Sequence, residues 1–214
     1  MRSDPEPAFP PQPRVFHYSL DWRFLLPISD PGKIRVVSEE RADFNQTLEQ
    51  AGIPVADQLS FSDLRQDERN NIQSLVIPFG LPVRWVGEEQ EDQIEFYRSM
   101  RRLICPDGYL LVGFENGWKF RSGNQSKYHS STPRRITYRL HKAGFKSIKI
   151  FGAIPNLCIP EYIFDMNTQA TRFVLHHRFR RKPIMLNVMQ LLSRTIGWTR
   201  ISTFLPCYFA VAAV

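Results

Sequence analysis

The sequence predicts an α/β fold with a largely parallel sheet. Short apolar runs alternate along the chain with segments of helical periodicity. Two of the runs, Ser74-Leu75-Val76-Ile77-Pro78-Phe79 and Tyr109-Leu110-Leu111-Val112-Gly113, are apolar on both alternating faces, as strands covered by helices on either side must be. Composition agrees: 43% hydrophobic, 13% aromatic and 23% charged residues over 214 positions suit one globular core. Disordered and collagen-like classes are excluded.

Residues 1 to 14 read as a disordered Pro-rich tail, with Pro5, Pro7, Pro10, Pro11 and Pro13 and almost no apolar periodicity. Residues 15 to 214 read as one domain. Its first segment, Val15 to Leu26, is aromatic-rich and ends at Pro27, as a short helix or a strap over the core would. Lys33 to Val37 reads as a strand. Ala42 to Ala51 reads as a helix, with Phe44, Leu48 and Ala51 at i, i+4, i+7 and Gly52 as its stop. A second extended stretch, Val55 to Phe61, precedes the buried run at 74–79. Glu88 to Ile104 is helical, with acids in the first turn and Arg101-Arg102 in the last, which suits the helix dipole. Cys105-Pro106-Asp107-Gly108 then breaks the helix and feeds the strand from Tyr109. A loop of about twenty residues leads to a helix over Arg134 to Ala143, stopped by Gly144, and a strand over Phe145 to Phe151.

The net charge of +7 is unevenly divided: the chain up to Asp107 carries −6 and the remainder +13. Such asymmetry points to something anionic, whether a phosphorylated substrate, a lipid surface, nucleic acid or an acidic protein. The longest uncharged run, Ile201 to Val214, is 14 residues and contains Pro206, too short to span a bilayer. The N-terminus lacks the basic and apolar regions of a signal peptide, and Cys105, Cys158 and Cys207 have neither metal spacing nor an even pairing. The expected location is cytoplasmic, with peripheral contact at a membrane.

The stretch Tyr97-x-x-Met100-Arg-Arg-Leu103-Ile-Cys-Pro106-Asp-Gly108-Tyr-Leu-Leu-Val112 resembles the helix, Pro-x-Gly turn and fifth strand of the class I S-adenosylmethionine-dependent methyltransferases. His141-Lys-Ala143-Gly144-Phe145 with Ser147-Ile-Lys-Ile150 resembles the next unit, and Cys207-Tyr-Phe-Ala-Val-Ala212 the last, antiparallel strand. Ile53 to Asp63 with Ile77-Pro78-Phe79 resembles the third strand, its closing acid and the lead into the fourth. The resemblance runs from about Leu20 to the C-terminus. It implies a Rossmann-like methyltransferase fold, mostly parallel with an antiparallel last strand, and residues 167–200 as a basic, amphipathic insertion before that strand. It also implies a cofactor loop rich in glycine after the first strand, where backbone N–H groups approach the ligand closely. The strand at 33–37 instead enters Ser38-Glu39-Glu40-Arg41-Ala42, without a glycine. Ile34 to Gly52 thus looks like the second strand and its helix, and the first βα unit is missing, since a βαβ unit takes about 30 residues or more. No cofactor is then expected; S-adenosylmethionine belongs to the alternative of an active enzyme.

Within that resemblance, Glu39 or Glu40 stands where the family holds the ribose hydroxyls and Asp63 where it meets the adenine edge; each also suits a helix N-terminus. Glu115 and Asn116 follow the fifth strand at the carboxyl edge of the sheet, where open α/β folds bind ligands. There an acid and an amide position a hydroxyl or amine, or Asn116-Gly117 simply turns the chain. Tyr128, His129, Tyr138 and His141 are the acid–base candidates nearby, although the segment offers no acid to orient either histidine. The adjacent His176 and His177 diverge on a helix and do not suit a shared metal.

Arg172, Arg178, Arg180, Arg181 and Lys182 form the densest basic cluster and lead into Pro183 to Gly197, a helix apolar over most of its circumference. Such a pair docks on an anionic membrane or partner, or packs as a core helix with its basic neighbours in water. Three functions follow. The first is a degenerate methyltransferase-like protein serving as partner or auxiliary subunit in a biosynthetic pathway, bound to an anionic partner protein. The second is an active methyltransferase on a small, phosphorylated or lipid-linked anionic molecule. The third is a nucleic-acid-binding module, with Trp118, Phe120 and Tyr128 interleaved among Lys119, Arg121 and Lys127.

Overall fold

The computed structural model describes residues 21–28, 30, 33–38, 46, 48–53, 55–57, 72–86, 89–117, 128–157 and 160–214. Eight strands form one sheet: β1 (Ile34–Ser38), β2 (Val55–Asp57), β3 (Ile72–Ile77), β4 (Ile104–Asn116), β5 (Ser130–Ser131), β6 (Ser147–Ile154), β7 (Tyr162–Asp165) and β8 (Cys207–Ala213). Seven lie in the order β2-β1-β3-β4-β8-β6-β7, and the short β5 pairs with the end of β4. The β2-β1-β3-β4 part is parallel. As expected for the last strand, β8 is antiparallel, and it inserts between β4 and β6. A second antiparallel strand, β7, returns beside β6; the sequence reading had no strand there.

Among the described residues, the α-helices with full bounds are α1 (Gln90–Leu103), α2 (Pro133–Lys142), α3 (Thr168–Phe179), α4 (Pro183–Ile196) and α5 (Trp198–Ile201). The acids Glu91 and Asp92 open α1 and Arg101 and Arg102 close it. Thr132 caps α2, its hydroxyl accepting from the Arg135 amide, with Pro133 in the first turn. Asn167 caps α3 in the same way, accepting from Ala170 N at 2.8 Å. Residues 46 and 48–50 are helical and turn at Gly52, which is the described part of the helix expected over 42–51.

The alternation of side chains along the strands feeds two cores. On one face Leu75, Ile77, Leu110, Val112, Tyr208 and Ala210 meet α1 and α2 through Phe96, Tyr97, Met100, Ile136 and Leu140. On the other, Val36, Val76, Leu111, Phe209 and Val211 meet Trp22, Leu26 and Leu48. The aromatic strap is therefore seen in part: Asp21–Leu25 is a 3₁₀ turn that buries Trp22 to 1% exposure. Each such large apolar side chain contributes about 1.5–3 kcal/mol by leaving water.

Two boundaries differ from expectation. Residues 104–108 do not merely break a helix: Ile104 already pairs with Ile72, and the register slips between Ile72 and Ser74 to absorb the Pro106 turn. The strand read over 145–151 runs from Ser147 to Ile154 instead, because Phe145 N bonds back to Leu140 O to close α2.

The place of β1 bears on the missing first unit. It is expected as the second strand with the first unit missing, and it pairs directly with β3, through Ile34↔Ser74 and Val36↔Val76, as loss of a strand between them leaves it. In a doubly wound sheet that is the place of the first strand, at the switch point where connections reverse direction. The physical reason is hydrogen bonding. An interior strand cannot be lost and leave a gap, since the backbone groups on both sides would be buried unpaired. The remaining strand closes against β3, and β2 is the outermost described strand.

Candidate functional site

The carboxyl ends of β1, β3, β4 and β6 lie along one edge, together with the start of β8. Glu115 pairs with Cys207, and Ala153 pairs with Cys207 from the other side. This is the edge where open α/β sheets hold ligands.

Beyond the end of β3 the described chain packs against β4 and the segment at 128–129. Phe79, Leu81 and Pro82 are buried. His129 N donates to Leu81 O at 2.8 Å, and Pro82 forms a bridge with Tyr128. Gly80, at φ +105°, admits this approach: a Cβ there would stand 3.3 Å from Tyr128 Cβ and 3.4 Å from Gly113 O. Glu39, Glu40 and Asp63 lie outside the described residues, as do Trp118, Phe120 and the basic residues between them.

Glu115 is half-buried at the end of β4, between Cys207 of β8 and Ser130 of β5. Asn116 is only 2% exposed. Its amide nitrogen donates to Leu205 O at 2.7 Å, Thr203 O at 2.9 Å and Tyr208 Oη at 3.1 Å, while its backbone N–H donates to Pro206 O. Tyr208 Oη in turn donates to Ser202 O at 3.1 Å, and burial raises that hydroxyl's pKa well above the ordinary tyrosine range. Asn116 thus ties the turn at 202–206 to the sheet.

His129 is held at both ring nitrogens. Nε2 donates to Val86 O at 3.1 Å and Nδ1 accepts from Gln93 Nε2 at 3.4 Å, so the orienting partners are an amide and a carbonyl rather than an acid. Tyr138 sits on the outer side of α2, 47% exposed, with Lys142 Nζ over its ring. His141, also exposed, faces Phe145 O through Nδ1. Inside α2, Arg139 is 8% exposed and donates to Ser131 Oγ at 3.2 Å. Burial lowers its pKa, partly offset by the neighbouring Tyr97, whose own hydroxyl burial pushes far upward.

A cavity of about 480 Å³ opens at the same edge, beyond β6 and β8. Ile154 and Pro155 come from the end of β6, Leu175, Arg178 and Phe179 from α3, Met189, Leu192 and Ile196 from α4, and Ile201, Phe204, Leu205 and Pro206 from the return to β8. Arg178 is its one charged lining residue, and Arg178 Nη1 donates to Glu161 Oε2. Arg180, Arg181 and Lys182 follow directly, all exposed, at the junction of α3 and α4. On α4 the residues 186, 189, 193 and 196 turn inward, while Ile184, Val188 and Leu191 are 80%, 47% and 64% exposed. The sequence reading found the basic cluster and the apolar helix but not the cavity between them. Its signal was that apolar residues surround α4 on nearly every side, more than one buried face needs.

Among the described residues, no group of three or more His, Cys, Asp or Glu side chains is placed to hold a metal ion, and no helix is long and apolar enough to cross a membrane.

The sequence matches no family model, and no curated protein matches it. Solved structures do match. A SAM-dependent methyltransferase from Archaeoglobus fulgidus superposes with a TM-score of 0.50 at 14% identity, over 84% of each chain. One from Thermotoga maritima gives 0.49 at 10% identity, over 92% of this chain and 88% of that one. One from Mesorhizobium loti gives 0.44 at 10% identity, over 89% and 94%. The fold is that of the SAM-dependent methyltransferases.

Proposed function

We propose that the chain is a methyltransferase-fold protein that does not hold S-adenosylmethionine in the usual way and acts as a partner or auxiliary subunit in a biosynthetic pathway. The observation that carries this reading is the strand at the switch point. β1 pairs with β3 where the cofactor strand belongs, yet it runs into Ser38-Glu39-Glu40-Arg41-Ala42 without a glycine. A cofactor turn at that point needs bare backbone to approach a ligand, and the sequence there supplies no glycine. At the end of β3, Tyr128 is packed over Gly80 and the chain after β3 is tied to His129. With no glycine in that turn, the sequence does not fit the cofactor in the family's usual site.

Calorimetric titration with S-adenosylmethionine and S-adenosylhomocysteine tests the reading. The expected result is no specific heat at millimolar ligand; a micromolar dissociation constant overturns it. The cavity favours a second reading, an active methyltransferase on a lipid-linked anionic substrate with S-adenosylmethionine in a rebuilt pocket, because an apolar chamber with one arginine suits such a substrate. The same titration separates the two. The partners consistent with both are anionic: an acidic protein face, or a phosphorylated or lipid-linked small molecule.

A further inference from the structure

We infer that the cavity between α3, α4 and the β6–β8 edge is a binding site for the tail of an anionic amphiphile, with a phosphate-type headgroup drawn to Arg178 and the basic residues after it. The inference deepens the auxiliary-subunit reading and rests on it for its setting, since it names what such a subunit would carry. Three features of the cavity support it.

Its size, about 480 Å³, lies within the range of small-molecule sites, roughly 300–1,000 Å³. Its lining is apolar except for Arg178, so it offers a sugar, a base or a peptide almost nothing to hydrogen-bond, whereas a hydrocarbon chain needs no partner. Its lips are apolar too: Leu192 and Phe204, both lining residues, are 41% and 58% exposed. Apolar side chains left in water at the mouth of an apolar chamber are covered when a chain enters.

Charge then selects the headgroup. The pairing of Arg178 with Glu161 engages one guanidinium nitrogen of a group with five N–H donors. Glu161 also opposes an incoming anion, so Arg178 does not act alone. Arg180, Arg181 and Lys182 follow Phe179, itself a wall residue, and are exposed. A phosphate at the mouth thus meets a net positive field and a planar fork suited to it.

The test is calorimetry on the full chain with dodecyl phosphate below its micellar concentration, beside inorganic phosphate and dodecyl maltoside. Saturable binding of dodecyl phosphate is expected, with dodecyl maltoside weaker by roughly tenfold and inorganic phosphate showing none at equal concentration. Leu192→Glu places a carboxylate in the wall and should weaken dodecyl phosphate by more than about tenfold. Should that variant fail to fold, Phe204→Asp at the exposed lip makes the same test. Arg178→Ala should narrow the gap between dodecyl phosphate and dodecyl maltoside, and adding Arg180→Ser, Arg181→Ser and Lys182→Ser should close it. The inference is overturned if dodecyl phosphate does not saturate, if the two amphiphiles bind equally to the parent chain, or if the wall variants bind as the parent does. Dimerisation that Leu192→Glu abolishes, with no amphiphile bound, would assign the cavity to a second copy and overturn it as well. No S-adenosylmethionine is present in these titrations. Amphiphile binding by a chain that also binds the cofactor would therefore remove the auxiliary-subunit reading and leave the chamber.

Discussion

Asn116 shows how a residue chosen for chemistry can hold the scaffold on which chemistry depends. Its amide nitrogen reaches two carbonyls and the Tyr208 hydroxyl, all in the 203–208 segment that forms one wall of the cavity. Asn116→Ala leaves those acceptors buried without a donor and should lower stability by about 1–3 kcal/mol. Asn116→Asp sets a carboxylate against carbonyl oxygens and should cost more; urea denaturation with equal m-values for the variants measures both. Tyr97 and Tyr208 yield a second residue-scale prediction. Burial holds both hydroxyls neutral well above the ordinary tyrosine range, while in the unfolded chain they ionise near pH 10. A raised folded pKa means the stabilisation is fully present below the unfolded value and is lost as pH rises beyond it. The midpoint of unfolding should be insensitive to these groups from pH 7 to 9 and fall above about pH 10. Tyr97→Phe should make that alkaline fall shallower, by up to about 1.4 kcal/mol per pH unit; an identical slope in parent and variant would contradict the burial argument. None of this was legible in the sequence. Asn116-Gly117 reads as a turn or a polar site from its neighbours alone, because its three acceptors lie nearly ninety positions away.

At the scale of elements, much more was legible. The helix at 90–103, the buried strands and the helix at 133–142 follow from local period and punctuation, which is information carried within about fifteen residues, whereas the antiparallel β8 follows from the family resemblance alone. What local pattern does not carry is long-range. The place of β1 beside β3 is set by which strand closes the ladder, and β7 is too short, at four residues, to announce itself by alternation. Gly113 is an element-scale feature of the same kind. It looks like the end of an apolar run, yet it lets the exit of β3 press against β4: a Cβ there would fall 2.1 Å from Pro78 O and 3.2 Å from a Leu157 methyl. Gly113→Ala therefore forces the backbones of β3 and β4 apart at the ligand edge. It should destabilise by about 1–3 kcal/mol or more, with hydrogen exchange accelerated first at the carboxyl end of β3. Protection unchanged at Ile77 and Val112 would show that the edge yields without cost.

Over the whole molecule the charge is polarised, −6 up to Asp107 and +13 beyond it, and the structure gives that polarity a location. Helices α3 and α4 both belong to the basic part; their junction carries Arg180, Arg181 and Lys182 in water, next to a helix that exposes Ile184, Val188 and Leu191. Part of this charge has a local use, since basic residues at the end of α3 suit its dipole, worth about 0.3–1 kcal/mol each. That use is satisfied by one or two cations and does not account for the whole cluster. At an anionic surface able to supply the proposed amphiphile, each basic residue would contribute about 1 kcal/mol. Replacing Arg180, Arg181 and Lys182 by Ser should therefore weaken association with phosphatidylglycerol vesicles by roughly 3 kcal/mol, more than about a hundredfold at low salt. The difference between parent and variant should shrink as the Debye length falls from about 10 Å at 0.1 M salt to about 3 Å at 1 M. Phosphatidylcholine vesicles supply no field, so parent and variant should behave alike on them. A triple variant with the parent's melting curve and undiminished affinity for the anionic vesicles would mean that this charge serves α3 and solubility alone.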